Sequence, residues 1–273
     1  MAGKLGILAG GGELPARLVE ACRLKGRETF LLAFEGHTDP ETVTGVTHAW
    51  TRLGAAASAI EILKDAGVRE LVMAGALARP SLAELRPNLS TARWLARLGA
   101  KGLGDDGLLR AIVRILEDEG FQVIGVDEVL EHLVAEAKVY GRLVPDEPAR
   151  ADIQRGISVA RALGSADVGQ GVVVQQGIVL AVEAAEGTDA LLQRAAGLRR
   201  EGPGGVLVKV RKPGQEHRVD LPTIGSRTVE GASAAGLCGI AVEAGGALVV
   251  DGDSVGATAD ATGLFVVGVA IDS

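Results

Sequence analysis

Lys4–Lys25, KLGILAGGGELPARLVEACRLK, runs through a strand, a turn and a helix in succession. Lys4–Ala9 is apolar without alternation, the pattern of a strand covered on both faces. Gly10-Gly11-Gly12 interrupts it. From Glu13 to Lys25, Leu14, Leu18, Ala21 and Cys22 then recur at helical spacing. The same grammar continues down the chain. Thr29–Phe34 is a second strand, Ala55–Ala66 a helix closed by Gly67, and Glu70–Ala74 a third strand. That strand exits into Gly75-Ala76-Leu77-Ala78-Arg79-Pro80, the place where open parallel sheets bind ligands. A helix over Leu108–Glu119, a strand over Phe121–Val126 and a helix over Glu128–Ala135 follow. Strands alternating with helices predict an α/β fold, here a Rossmann-like parallel-sheet domain over residues 1–136.

Over residues 137–148 the apolar periodicity lapses and Pro145, Asp146, Glu147 and Pro148 accumulate, as in a linker. Residues 149–273 are written differently. A helix over Ala149–Ala162 precedes strands Gly171–Gln175 and Ile178–Glu183, joined by the hairpin signal Gln176-Gly177. A helix over Thr188–Arg200, a strand over Gly205–Arg211, a helix over Thr228–Leu237 and strands over Gly239–Ala244, Leu248–Val250 and Leu264–Ile271 complete the chain. Paired strands with single helices predict a C-terminal α+β domain with a mixed sheet, and this is the expected catalytic domain.

Composition narrows the function. Hydrophobic residues make up 47% of the 273-residue chain, enough for folded domains. A formal net charge of −7 and only 3% aromatics argue against nucleic acid as a partner. Cys22 and Cys238 stand far apart, with no zinc or disulfide pattern, and read as buried thiols. The first apolar run ends in a glycine loop, so it reads as a strand and not as a signal peptide. A cytoplasmic, soluble protein is expected, with membrane contact at most peripheral.

Against the acidic background, Val206–Thr228 (VLVKVRKPGQEHRVDLPTIGSRT) gathers Lys209, Arg211, Lys212, His217 and Arg218 around one carboxylate, Asp220. Such a cluster suits an anionic group, above all phosphate, beside an acid that takes a metal or a water. Pro222 keeps the preceding backbone extended. An ordinary turn aspartate is the plain alternative. Upstream, Asp167, Gln170, Glu183, Glu186, Thr188, Asp189 and Arg194 lie near strand ends and a helix start. Asp189 would also favour the helix dipole with no further role. Mg²⁺ needs only one or two carboxylates when phosphate oxygens complete its shell. Gly104-Asp105-Asp106-Gly107 reads as a metal-binding pair or as a helix cap. Gly10-Gly11-Gly12 suits a phosphate or sugar contact, or simply a tight turn. As a dinucleotide fingerprint it lacks the third glycine, where Pro15 stands, although Glu35 ends the second strand as a ribose-binding acid would.

Taken together, LGILAGGGELP, GDDGLLRAI, DVGQGVVV, VLAVEAAEGTDALLQR, VLVKVRKPGQEHRVDLPTIG and AGLCGIAVEAG resemble the LpxI family over nearly the whole chain. These are the UDP-2,3-diacylglucosamine pyrophosphatases of lipid A assembly. The resemblance implies Mg²⁺-dependent hydrolysis to UMP and 2,3-diacylglucosamine 1-phosphate (lipid X), by attack on the β-phosphorus. It also implies that substrate lies between the two domains. Asp220 of DLPTIG matches the aspartate that the family needs for turnover. Asp220, Lys209 and Lys212 are the expected catalytic residues, and Asp220, Asp167, Glu183, Glu186 and Asp189 the candidate metal ligands. Gly11, Gly12, Gly75, Ala76, Gln170, Thr188, Arg194 and Thr223 are the expected substrate contacts. Leu77, Leu82 and Trp94 are candidates for an acyl groove, Trp94 equally for plain core. Expected partners are the nucleotide-activated glycolipid and, peripherally, the cytoplasmic face of the inner membrane, with a homodimer as the candidate assembly. The alternatives are a nicotinamide-dependent oxidoreductase and a non-enzymatic nucleotide-sugar binding module.

Overall fold

The structure is a computed structural model, which describes residues 3–77, 105–214, 216–219 and 221–271. The chain divides into two units, residues 1–131 with 216–220, and residues 132–215 with 221–273.

In the first unit, β1 (Leu5–Ala9), β2 (Thr29–Phe34), β3 (His48–Thr51), β4 (Glu70–Ala74) and β5 (Gln122–Ile124) form one sheet of order β3-β2-β1-β4-β5, every pairing parallel. Every residue of the central strand β1 is buried, which is why its sequence does not alternate. Around the sheet lie α1 (Leu14–Leu24), α2 (Ala56–Asp65), α3 (Asp105–Asp118) and the single turn α4 (Val126–Val129). Helix α1 turns Pro15, Leu18 and Cys22 inward. Ile60 and Leu63 of α2 join Val113 and Leu116 of α3 in a core with Leu8, Phe30, Leu32 and Leu71. The edge strand β3 was not foreseen. Its HAWT sequence has one buried residue, Thr51, so it carries no apolar signal. The helix expected over Glu128–Ala135 is instead α4 followed by a 3-10 turn, Glu131–Leu133.

The return of residues 216–219 to this unit was also not foreseen. Val219 packs against its core. The Arg218 guanidinium donates to Glu117 on α3 at 2.7 Å and to the Val123 carbonyl on β5 at 3.3 Å.

The second unit is built on a mixed sheet of order β12-β10-β8-β6-β7, from β6 (Gly171–Gln175), β7 (Ile178–Val182), β8 (Val206–Lys209), β10 (Gly239–Glu243) and β12 (Phe265–Val269). Strands β8, β10 and β12 are parallel, and β6 runs antiparallel to both neighbours. The β6–β7 hairpin turns at Gln176 and Gly177, φ 53° and 77°, the left-handed pair that a two-residue turn requires. Helix α5 (Glu147–Ser165), capped by Asp146, covers one face through Ala149, Ile153, Ile157 and Ala160. The other face is covered by α6 (Gly187–Ala196), α7 (Ser226–Ala234) and α8 (Gly252–Thr262). A separate two-stranded parallel ladder joins β9 (Thr223–Ile224) to β11 (Leu248–Val249). Residues 134–140, partly within the span read as a linker, are hydrogen-bonded into this unit. Ala135 N–H donates to Ala247 O at 2.8 Å and Tyr140 N–H to Val266 O at 2.9 Å.

Candidate active site

Sheet register assembles the polar centre of the second unit. Because β6 is antiparallel to β7 and β8, its first residue lies at the edge where those strands end. Gly171 sits opposite Lys209, and the Glu183 N–H donates to the Gly171 carbonyl at 2.7 Å. Glu183, Gly171 and Lys209 therefore form one row across three strands. The missing side chain in the middle is required. A Cβ on Gly171 would lie 2.6 Å from Glu183 Oε2, so glycine lets the carboxylate lean across towards the lysine. Glu183 Oε1 is 3.6 Å from Lys209 Nζ, with the two side chains 8% and 4% exposed.

Thr188, in the first turn of α6, bridges the two. Its hydroxyl donates to Glu183 Oε1 at 2.6 Å and accepts from Lys209 Nζ at 2.6 Å. One ammonium carries three donors, and Thr188 takes one of them. Glu183 Oε2 is buried with no hydrogen-bond partner. Three residues beyond Lys209, buried Lys212 donates to Asp167 Oδ1 at 2.9 Å. Asp167 sits in the left-handed region at φ 53° in the turn that follows α5. Gln170, between that turn and β6, accepts the Val210 N–H at 3.0 Å on its carbonyl.

The remaining predicted acids lie apart from this row. Glu186 pairs with Arg194, which also donates to the Val182 carbonyl at 2.7 Å. Asp189 pairs with Arg227 at 3.0 Å, both well exposed. They flank a groove of 560 Å³ between α6 and α7, lined also by Leu192, Ala196 and Ala234. Thr223 donates its hydroxyl to Leu221 O at 3.0 Å. Asp220, Leu82 and Trp94 lie outside the described residues, as do the side chains of Asp105 and Asp106. Leu77 packs against the first unit's core.

Three cations of the basic cluster thus have acids of their own: Glu183 for Lys209, Asp167 for Lys212, and Glu216 with Glu117 for Arg218. Among the described residues no three His, Cys, Asp or Glu side chains gather where they could hold a metal ion. Asp167, Glu183, Glu186 and Asp189 do not fit a shared metal centre, since each already faces its own cation. Thr188 was expected only as a substrate contact; its bridging role and the glycine at 171 are the parts that sequence reading left out. Their signal was the row position, which appears only with the strand register.

At the first unit's topological switch point, β1 and β4 are followed by backbones in contact. Gly10 N–H donates to Ala74 O at 2.7 Å, and Gly11 and Ala76 exchange a pair of bonds at 2.8 and 3.0 Å. A Cβ on Gly10 would stand 2.6 Å from Ala76 O, and one on Gly75 the same distance from Gly11 O. The Gly12 N–H donates to Asp39 Oδ2 at 2.8 Å. All three loop amides are therefore engaged within the protein. Asp39 thus accepts from one of the loop amides, the kind of donor that a dinucleotide-binding loop offers to phosphate.

Two family models cover the chain in order: the LpxI N-terminal domain over residues 4–133 and the LpxI C-terminal domain over residues 136–267. The chain belongs to the LpxI family. It is 42% identical over 273 residues to a protein of Caulobacter vibrioides named UDP-2,3-diacylglucosamine pyrophosphatase LpxI, covering 97% of each chain. Among solved structures, CobK precorrin-6A reductase aligns with a TM-score of 0.34 at 12% identity, over 100% of this chain and 89% of that one. The biotin carboxylase domain of a single-chain bacterial carboxylase aligns at 0.21 and 14% identity, over 64% and 38%. Neither likeness bears on fold or function at these values. For this LpxI chain, the Lys209–Thr188–Glu183 row and the Lys212–Asp167 pair all belong to the residues matched by the C-terminal family model.

Proposed function

We propose that this chain hydrolyses the diphosphate of UDP-2,3-diacylglucosamine in lipid A biosynthesis, releasing UMP and 2,3-diacylglucosamine 1-phosphate (lipid X). The observation that carries the reading is the 42% identity, over 97% of both chains, to a protein named for that activity. In the reaction a water oxygen bonds to the β-phosphorus, the bond from that phosphorus to the bridging oxygen breaks, and UMP leaves with the bridging oxygen. The protein's task is to orient the water and offset charge on the phosphate oxygens.

Asp220 is assigned to water orientation or Mg²⁺ binding, by its match to the family's aspartate. Bound Mg²⁺ would neutralise charge on the phosphate oxygens. On this reading its protein ligand is Asp220, with substrate oxygens completing the shell. Lys209 and Lys212 are assigned to the diphosphate. Their burial strengthens the field they exert. Gln170, Thr188, Arg194 and Thr223, with Gly11, Gly12, Gly75 and Ala76, are assigned to substrate contact. A position between the two domains, contact of the acyl chains with the membrane surface and a homodimer are parts of the same proposal. No helix among the described residues is long and apolar enough to cross a membrane.

The test incubates purified protein with UDP-2,3-diacylglucosamine and Mg²⁺ and follows UMP. Release is expected, with loss on chelation and a fall of about 10²-fold or more in Asp220→Ala. No UMP from the wild type, or undiminished release by the variant, would remove the assignment.

A further inference from the structure

The turn at residues 216–219 is held more firmly than a connecting turn requires. Every nitrogen of the Arg218 guanidinium is engaged. Nε donates to Glu216 Oε1 at 2.8 Å and Nη2 to Glu216 Oε2 at 2.9 Å, a two-point fork. Nη1 donates to Glu117 Oε1 at 2.7 Å and to the Val123 carbonyl at 3.3 Å. Glu117 stands in the last turn of α3 and Val123 in the middle of β5, so one side chain ties the turn to two elements. The Val219 N–H closes the turn onto Glu216 O at 3.2 Å, while its side chain joins the apolar core. These hydrogen bonds from Arg218 also hold the Glu216 carboxyl below the usual carboxylate range.

The residues just beyond the turn give it its meaning. Asp220 and Leu221 come next. Pro222 then accepts the Leu248 N–H on its carbonyl at 2.8 Å, and Thr223 opens β9 in the second unit. Asp220 is therefore flanked within three residues by an anchor in each unit. An exposed ion pair contributes little by itself. A filled guanidinium fork fixes direction as well as distance, and a small displacement of a reacting group is costly.

We propose that Arg218 and Glu117 are positioning residues for turnover, locking the turn 216–219 to α3 and β5 and so setting where the chain delivers Asp220. The inference rests on the role proposed for Asp220 in the hydrolysis.

The test measures UMP release by the full-length protein in the wild type and in Glu117→Ala, Arg218→Gln, Arg218→Lys and the double variant Glu117→Ala/Arg218→Gln. Glu117→Ala and Arg218→Gln are each expected to lower kcat about tenfold with KM within about twofold. The double variant should be no slower than Arg218→Gln, because the two act as one unit. Arg218→Lys should not restore the rate, since an ammonium keeps the charge and loses the fork. A wild-type kcat in Glu117→Ala overturns the proposal, as does a double variant slowed by the product of the two single effects. Should Arg218→Gln fail to fold, Glu117→Ala decides alone, because it leaves the Glu216 fork in place. A wild type that releases no UMP, or an Asp220→Ala variant as fast as wild type, fails the underlying reading and the positioning role with it. Normal behaviour of Glu117→Ala beside a dead Asp220→Ala fails the positioning role only.

Discussion

Lys209 and Glu183 show what burial does to a charged pair. Each side chain has lost nearly all its water, so neither charge is tolerated without the other. Lys209→Met leaves Glu183 as an uncompensated buried carboxylate and is expected to cost about 3–5 kcal/mol of stability. Adding Glu183→Gln should return much of that loss, because it removes the stranded charge. Chemical denaturation of the single and double variants measures both effects. UMP release separates the two roles: if Lys209 faces the diphosphate, the double variant is stable and still slow. A double variant that regains wild-type turnover would leave Lys209 with a purely structural duty. The pairing was not readable beforehand. Lys209 and Lys212 stood out in the sequence as cations near Asp220, but their partners come from residues 183 and 167, through strand register and a turn.

The β6–β7 hairpin and helix α5 depend on each other through Asp152, which is buried. Its carboxylate accepts the Gln176 N–H at 2.9 Å and the Gly177 N–H at 2.6 Å, so it satisfies the turn's backbone donors from the helix. Asp152→Ala leaves both donors without their acceptor and is expected to cost about 2–4 kcal/mol, the range of one or two charge-assisted hydrogen bonds. Thermal melting checks the cost, and amide exchange at residues 176 and 177 should quicken in the same variant. The hairpin itself was legible from Gln176-Gly177 between apolar runs. Its anchor was not, because an aspartate inside a helical pattern ordinarily reads as surface.

Across the whole molecule, each unit has its own apolar core and each holds a thiol that burial shifts upward. Desolvation raises the Cys22 thiol in the first unit. It lifts Cys238 in the second from an ordinary 9.0 to about 11, where the sulfur donates to Gly205 O at 3.4 Å. The folded protein keeps these protons at pH values where the unfolded chain has released them. The contribution of Cys238 is therefore fully present below pH 9.0 and is lost as pH rises towards 11, and that of Cys22 is lost in the same direction. The urea midpoint is expected to fall between about pH 8.5 and 10.5, and to fall less in Cys22→Ala/Cys238→Ala. An equal fall in both proteins would assign the alkaline loss to other groups.

Local periodicity carried most of the architecture. Continuous apolar runs marked β1, β2 and β4, helical spacing marked α1, α2 and α5, and glycine punctuation marked their ends, because each signal depends on residues within a turn or two. Two elements escaped for the same reason. Strand β3 is half-exposed, and α8 buries only Val255, Gly256 and Ala259, so neither writes a strong apolar pattern. Tertiary structure alone placed Glu183 and Lys209 on either side of Gly171, returned residues 216–219 to the first core, and brought Asp39 to the Gly12 amide. Those relations join residues far apart in sequence. They depend on strand order and register, which no local pattern contains.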